Sequence, residues 1–394
     1  MNPSRPIQLS GGMKYQLEIY FAGTQNVKPL LPVSFEELEQ KAREVMTPEA
    51  FGYIAGGAGA ETTIRNNKEA FNKWQIVPRM MGDVSNRTIE VELFGTKFPT
   101  PLLVAPVGVL SIAHPEAELA VASAAKALQV PQIVSTVSSK TIEEIGGALG
   151  DHPHWFQLYW GRDNDFTRSI IGRAEKAGYS ALVVTLDTRL FAWRERDIQN
   201  AYLPFLYNEG LANYNTDPVF LAAVDDPAKN KMQAMMHFAN CFSNPASSWS
   251  DLSVIRNATK LPVILKGIQH PDDAKKAIDH GADGIIVSNH GGRQMDGAIG
   301  SLEALAWVAA AVAGKTTVLF DSGIRRGADV FKAMALGARA VLIGRPYAYG
   351  LALAGERGVK EVLANLLADV DLTLGLAGCT SWADVTRNAL HYAG

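Results

Sequence analysis

Residues 285–294, IIVSNHGGRQ, place a histidine and an arginine at the end of a buried apolar run. His290 can accept a proton, and the guanidinium of Arg293 can bind a carboxylate through two parallel hydrogen bonds. Removal of a proton from a small hydroxy acid needs both groups. The same residues would equally suit a turn at Gly291 and Gly292 beside a structural histidine and a surface arginine. The rest of the chain decides between these interpretations.

Two further side chains favour the catalytic interpretation. Asp187 follows another apolar run, and its carboxylate would fix the tautomer of His290 and stabilise the protonated imidazole. Lys266 lies in a third run, where a buried lysine needs an anionic partner to stay charged. The N1–C2=O edge of a reduced flavin is one such partner. The alternatives are a structural histidine–aspartate pair and, for the lysine, a salt bridge or a Schiff base.

Length and composition describe a globular chain. The 394 residues, 47% of them apolar, can fill a large α/β domain, and the net charge of −3 comes without basic clusters. We therefore expect neither nucleic acid nor a membrane surface as a partner. Cys241 and Cys379 are far apart and lack metal-binding spacing, so we expect no metal site, no disulfide and a reducing cytoplasm. The sequence shows neither a membrane span nor a signal peptide.

The N-terminal region is expected to be helical after a polar arm. Ser34 and Glu37 form a capping-box pattern that begins a predicted helix over residues 34–46. Thr47 and Pro48 begin a second helix, which stops at the glycines 56–57. Residues 1–30 are assigned to an N-terminal arm and residues 31–394 to one domain.

From residue 101 onward, short runs rich in Val, Ile and Leu alternate with amphipathic segments such as 116–128 and 272–280. Eight runs of this kind predict a (β/α)8 TIM barrel, with an open doubly wound sheet as the alternative. The predicted strands are 102–105, 132–135, 156–159, 181–187, 263–267, 284–289, 318–323 and 340–345.

Polar residues follow these runs at their carboxyl ends, which in a barrel open onto one face. The last two runs end in DSGIRRG and GRP, where glycine backbone with Arg325 and Arg345 predicts a phosphate-bearing ligand. Residues 188–262, after the fourth run, are too long for an ordinary connection and carry many aromatic side chains. We expect a lid that excludes water from the site, with a surface embellishment or an oligomer contact as the alternative.

The motifs SNHGGRQ, KGIQHPDDA, FQLYW, LDT, DSGIRRG and IGRPYA together resemble those of the FMN-dependent L-2-hydroxy acid oxidase family, from about residue 30 to the C-terminus. The resemblance implies FMN as cofactor, a small 2-hydroxy acid and O2 as substrates, and a homotetramer. It implies cofactor contacts from Ala105, Pro106, Ser135, Gln157, Thr185, Lys266, Ser288, Asp321, Gly323, Arg325, Gly344 and Arg345.

The resemblance also implies roles for the reacting groups. His290 would take the hydroxyl proton, aided by Asp187, as the Cα hydrogen passes to the flavin. Whether that hydrogen leaves as a hydride or by a carbanion route stays open. The substrate would be held by Tyr53, Tyr159, Arg194 and Arg293.

Two positions depart from the glycolate and lactate oxidase pattern of this family. Gly108 stands where those oxidases usually have alanine, and Val137 replaces an aromatic residue; both are similar to the lactate 2-monooxygenase members. We therefore expect L-lactate to be oxidised and decarboxylated to acetate, carbon dioxide and water. Release of pyruvate, or another 2-oxo acid, with hydrogen peroxide is the alternative.

Overall fold

Eight parallel strands form a closed barrel in the computed structural model, which describes residues 11–224 and 230–394. The eighth barrel strand pairs with the first, so the (β/α)8 TIM barrel is confirmed and the open sheet is wrong. The strands are β1 (Trp74–Ile76), β2 (Val91–Leu93), β3 (Thr96–Phe98), β4 (Leu102–Val104), β5 (Gln132–Ser135), β6 (His154–Tyr159), β7 (Leu182–Thr185), β8 (Val263–Ile268), β9 (Gly284–Val287), β10 (Thr317–Phe320), β11 (Val341–Ile343) and β12 (Leu390–Tyr392). The barrel consists of β4 to β11, each near a predicted run.

Helices surround this barrel, and none in the described ranges is long and apolar enough to cross a membrane. The helices are α1 (Gly11–Thr24), α2 (Phe35–Val45), α3 (Pro48–Ala55), α4 (Thr62–Asn72), α5 (Ala117–Ala127), α6 (Ile142–Leu149), α7 (Asn164–Lys176), α8 (Glu195–Gln199), α9 (Ala212–Asn215), α10 (Pro218–Ala223), α11 (Lys231–Phe242), α12 (Leu252–Ala258), α13 (Pro271–Asp279), α14 (Ser301–Val312), α15 (Gly327–Ala335) and α16 (Arg345–Leu376).

Alternate residues of each barrel strand point into the barrel, and those residues are mostly apolar, so apolar side chains fill the interior. The antiparallel pair β2–β3 closes the amino end, where the rings of Phe94 and Phe98 lie 5.7 and 6.3 Å from that of Trp155. Only the carboxyl end of the barrel is left for polar chemistry. The inward-facing cluster contains Leu103, Ile133, Val183, Ile264, Ile286, Leu319 and Leu342.

The two predicted N-terminal helices are present with their caps. The Ser34 hydroxyl accepts the Glu37 N–H at 3.3 Å, and Thr47 accepts that of Ala50 at 3.2 Å. Residues 1–10 of the predicted arm lie outside the described residues. Residues 11–24 of that arm form α1, which was not predicted and packs on α16; the Gly12 N–H donates to Asp371 at 3.0 Å.

The long insertion, residues 188–262, has a core of its own that continues into the barrel. The Tyr214 ring stacks on Phe166 of α7 with centroids 4.9 Å apart, and Phe238 packs at 4.9 Å from Tyr214. Buried Asp217 caps α10 and accepts hydrogen bonds from Ser169 of α7 at 2.8 Å and from Arg173 at 3.2 Å. These contacts fix the described part of the insertion to the barrel wall.

Candidate active site

A cleft opens at the carboxyl ends of the barrel strands, with a volume of about 1170 Å³ when its mouth is included. Its outer wall is apolar and comes from the insertion, through Phe191, Leu203, Phe205 and Phe242. The structure therefore places the insertion over the predicted site. The predicted residues that line the cleft are Tyr53, Ala105, Pro106, Tyr159, Arg194, Lys266, His290, Arg293, Asp321, Gly323, Arg325, Gly344 and Arg345.

His290 and Asp187 form the predicted pair. His290 Nδ1 and Asp187 Oδ1 are 2.7 Å apart, and the Thr188 hydroxyl donates to the same oxygen at 3.1 Å. Burial lowers the pKa of His290 despite the carboxylate beside it. Burial alone would raise the pKa of Asp187, but His290 and Lys266 outweigh it and hold that pKa below its ordinary value. A carboxylate thus orients an imidazole whose lowered pKa favours the neutral form, which is the state a general base requires.

The loop that carries His290 has an unusual backbone. His290, Gly291 and Gly292 have φ angles of 58°, 64° and 75°, three consecutive left-handed residues. The N–H groups of His290 and Gly291 donate to the hydroxyls of Ser288 and Ser322, each at 2.9 Å. A left-handed non-glycine residue is sparsely populated and is characteristic of functional sites. The hydroxyls hold the turn that aims the imidazole into the cleft.

Two arginines and a tyrosine ring lie near the histidine. The guanidinium carbons of Arg293 and Arg194 are 5.2 and 5.8 Å from the Tyr53 ring centroid. Arg293 donates to the backbone carbonyls of Tyr53 at 2.5 Å and Gly56 at 2.9 Å. Burial, together with the neighbouring charge of Arg194, lowers the pKa of Arg293 to about 9. A substrate carboxylate would neutralise this excess of positive charge.

Lys266 already has anionic partners within the protein. Its Nζ lies 3.3 Å from Asp321 Oδ2, 3.9 Å from Asp187 Oδ2 and 3.1 Å from the Ser288 hydroxyl. Burial opposes its charge, but the two carboxylates outweigh burial and raise the pKa of Lys266. The salt bridge left open as an alternative is therefore present, and the charge of Lys266 alone does not require a flavin.

Five predicted residues are not among the described side chains that line the cleft. Three form a ladder across neighbouring strands, in which Ser135 donates to Gln157 at 3.1 Å and Gln157 donates to Thr185 at 2.9 Å. Ser288 donates to Asp321 through a short hydrogen bond, and Asp187 lies behind His290. Ser135, Gln157, Thr185 and Ser288 are buried and form a polar layer next to the residues that line the cleft, whereas Asp187 is half-buried.

Two further arginines that line the cleft, Arg325 and Arg345, suit a phosphate. Arg345 donates to the carbonyls of Gly291 at 2.9 Å and Gly56 at 3.0 Å, and Arg325 donates to Ile324 at 2.7 Å. Within the described chain these hydrogen bonds go to carbonyls, not to carboxylates. Burial, followed by the charge of Arg345, lowers the pKa of Arg325 to about 10. An anion bound beside these two guanidiniums would relieve the opposition that the charge of Arg345 exerts on that of Arg325.

Sequence reasoning missed several residues of the site. Thr188, Ser322 and Gln294 all line the cleft. Gln294 donates to the Asp187 carbonyl at 3.0 Å and accepts from Arg194 of the insertion at 3.3 Å, so it connects the insertion to the His290–Asp187 pair. All three residues belong to motifs quoted above: Thr188 to LDT, Ser322 to DSGIRRG and Gln294 to SNHGGRQ. Membership in these motifs is the sequence feature that could have identified them.

The model of the FMN-dependent dehydrogenase family matches residues 42–392 of this chain. The chain belongs to that family. It is therefore an FMN-dependent oxidoreductase, and the membership inferred from the motifs is confirmed.

Curated relatives and solved structures agree with the family match. The chain is 46% identical to an L-lactate oxidase of Lysinibacillus sphaericus over 89% of its own length and 90% of the relative's. It is 44% identical to a 4-hydroxymandelate oxidase of Amycolatopsis orientalis, over 89% of this chain and 95% of that protein. A crystal structure of mandelate oxidase superposes with a TM-score of 0.79 at 40% identity, covering 91% of this chain and 98% of the other. Family members thus share this barrel almost from end to end.

Proposed function

We propose that this FMN-dependent enzyme oxidises L-lactate, or a similar small L-2-hydroxy acid, with O2, and that it converts the product to acetate, carbon dioxide and water. The observation that carries the oxidation is the Asp187-oriented imidazole of His290 in the same cleft as the buried guanidinium of Arg293. Base and carboxylate site are thus adjacent. The names of the relatives, an L-lactate oxidase and a 4-hydroxymandelate oxidase, support a 2-hydroxy acid as substrate.

The chain's own residues divide the work of the reaction. His290 takes the hydroxyl proton at Nε2, because Nδ1 faces Asp187. Arg293 and Arg194 bind the substrate carboxylate, and the hydroxyl of Tyr159 donates to the substrate. Burial raises the pKa of Tyr159, so this phenol stays a hydrogen-bond donor at neutral pH. FMN, when bound, supplies the acceptor for the two electrons of the oxidation.

The cofactor residues fall into two groups under this proposal. Arg325 and Arg345 hold the phosphate, because both line the cleft and the charge of Arg345 lowers the pKa of Arg325. Lys266 lies beside Asp187 and Asp321 in the same cleft and is the cation proposed to contact the flavin ring. Gly323 has φ 105°, and a Cβ there would lie 2.9 Å from the Phe71 ring, so the close approach at Asp321–Arg325 requires glycine.

The buried polar layer belongs to the cofactor site under this proposal. Ser135, Gln157, Thr185 and Ser288 contact the flavin ring or ribityl chain, as the family resemblance implies, and their hydrogen bonds hold neighbouring strands in register.

The decarboxylating outcome is supported by two residues of the cleft wall that lies beside the insertion. Gly108 and Val137, the two departures from the oxidase pattern, both line the cleft and contact each other. Pyruvate that stays in the cleft can react with hydrogen peroxide to give acetate, carbon dioxide and water. The apolar cover of Phe205 and Phe242 retains it there. The second candidate, an oxidase that releases pyruvate and peroxide, is favoured by the name of the L-lactate oxidase relative.

The deciding experiment is a product balance. Purified FMN-loaded enzyme is given L-lactate and O2 in buffer without catalase, and acetate, pyruvate and hydrogen peroxide are quantified per O2 consumed. We expect one acetate per O2 and no free peroxide. Stoichiometric pyruvate and peroxide would establish the oxidase, and inertness to L-lactate with turnover of longer or aromatic 2-hydroxy acids would change the substrate.

A further inference from the structure

Asp163, His237 and Cys241 converge where the insertion meets the barrel, away from the cleft lining. Asp163 precedes α7, in the loop after β6. His237 and Cys241 are four residues apart on α11, so both side chains are on one face of that helix. Cys241 Sγ and His237 Nε2 are 3.6 Å apart, and His237 Nε2 is 3.9 Å from Asp163 Oδ2. All three potential ligand atoms lie within 4.8 Å of one another.

We propose that these three side chains bind a divalent zinc ion, with water as the fourth ligand. Thiolate, imidazole and carboxylate are the ligand types that Zn²⁺ prefers. Tetrahedral bonds of about 2.3 Å to sulfur and about 2.0 Å to nitrogen place those two atoms about 3.5 Å apart. The observed sulfur–nitrogen separation of 3.6 Å thus needs almost no rearrangement on binding.

Each ligand atom is available. Asp163 uses Oδ1 to accept the N–H groups of Asp165 and Phe166, each at 2.9 Å, and its other oxygen faces His237. Cys241 is a buried free thiol, and the side chains of His237 and Asp163 are 16% and 25% exposed. An ion and its water therefore reach the cluster from the solvent side. The competing explanation is an uncharged contact between thiol and imidazole that needs no ion.

The ion would fasten the lid next to the substrate. Gly161 packs so closely on the end of α11 that a Cβ there would lie 2.2 Å from the Cys241 carbonyl oxygen. Phe242, the residue after Cys241, lines the cleft, and its ring centroid is 4.4 Å from that of Tyr159. An ion that crosslinks α11 to Asp163 therefore fixes this wall of the cleft. The effect on substrate rests on the proposed function; binding of the ion does not.

Metal content tests the site without any turnover. FMN-loaded enzyme without a histidine tag is stripped with chelator, incubated with a small excess of ZnCl2, desalted and measured for zinc and flavin. We expect one zinc per chain in the wild type and in the Cys379→Ser control, which alters a free cysteine that is not one of the proposed ligands. Cys241→Ser and His237→Ala should retain less than a tenth of that zinc at unchanged flavin content.

A milder variant and a spectrum keep the test decisive if those variants fold poorly. Asp163→Asn retains the oxygen that caps α7 but weakens the third ligand, so zinc affinity should fall at least tenfold without loss of fold. Wild-type enzyme given CoCl2 should show d–d bands of tetrahedral cobalt at wavelengths longer than the flavin absorption. Wild-type enzyme without stoichiometric zinc, or Asp163→Asn and Cys241→Ser with wild-type zinc content, would overturn the site. A zinc site with unchanged KM for substrate would remove only its role in the lid.

Discussion

Burial and the Asp187 carboxylate have opposite effects on the pKa of the His290 imidazole, and mutation of Asp187 separates them. Burial favours its neutral form, and Asp187 favours the protonated form that proton uptake creates. The pair could be predicted from sequence because both residues end apolar runs that meet in a barrel. The left-handed turn at 290–292 and the supporting hydroxyl of Ser322 could not, since they depend on how distant loops pack.

His290→Ala should leave FMN bound but slow reduction of the flavin. Without the base we expect the anaerobic bleaching rate with L-lactate to fall about 10²- to 10⁴-fold, the usual contribution of proton transfer. Stopped-flow absorbance measures it. His391→Ala, at an exposed histidine of β12, is the control and should bleach normally. Wild-type bleaching by His290→Ala would exclude this residue as the base.

Asp187→Asn should shift the acid limb of the pH profile. The base works when unprotonated, so kcat/KM falls as pH drops through the pKa of His290, which burial holds below its ordinary 6.5. Since the carboxylate raises that pKa, its removal should move the limb to still lower pH while the plateau falls, because the imidazole loses its orientation. Initial rates across pH, with flavin content as a check, measure both. A limb displaced to higher pH would contradict this electrostatic account.

Helices and strands could be predicted from the sequence where a single pattern of apolar residues dominates a segment. All eight barrel strands were located because parallel strands buried on both faces are continuous apolar runs. The three-residue pairs β1–β12 and β2–β3 were missed since such short strands have no detectable alternation. The Asp163–His237–Cys241 cluster was missed because cysteine spacing was compared only with the other cysteine.

The loop after β4 makes a prediction at the scale of elements. A Cβ on Gly108 would lie 2.5 Å from Val137 Cγ2 and 2.6 Å from the Val137 carbonyl oxygen. Gly108→Ala should therefore displace the β5 loop and shift products from acetate toward pyruvate and peroxide, which the product balance measures. Gly147→Ala, at an exposed glycine of α6 where a Cβ would meet nothing within 4 Å, is the control and should leave the product ratio unchanged. An unchanged product ratio in Gly108→Ala would refute this role.

At the scale of the whole molecule, FMN binding should raise the melting temperature of the protein. Without FMN the charge of Arg345 opposes that of Arg325 with no phosphate to offset it, so we expect the apoprotein to melt at a lower temperature. Added FMN at a hundredfold excess over Kd should restore about 2.7 kcal/mol of unfolding free energy. Riboflavin, which has no phosphate, should restore less of the unfolding free energy. In Arg325→Met the difference between the stabilisation by FMN and that by riboflavin should become smaller. Equal shifts in Tm from both flavins would remove the arginines from phosphate binding.

Assembly and location concern the molecule beyond one chain. The homotetramer stays a prediction from the family resemblance, and the cytoplasmic location stays a prediction from the cysteine pattern and the sequence's lack of a recognisable signal peptide or membrane span. The assignment of residues 1–30 to an arm also stays a prediction, although α1 already ties residues 11–24 to α16.

Closure of the barrel by its last strand has a consequence for biosynthesis. β11 pairs with β4, and the Ala105 N–H donates to the Ile343 carbonyl at 2.8 Å, so residues separated by most of the chain build one edge of the cleft. Arg345 lies two residues after the last residue of β11, at the start of α16. A nascent chain that ends before residue 341 lacks both this edge and half of the proposed phosphate site. Flavin loading is therefore a late event, after nearly the whole polypeptide has left the ribosome, and FMN cannot act as a template for the early steps of folding.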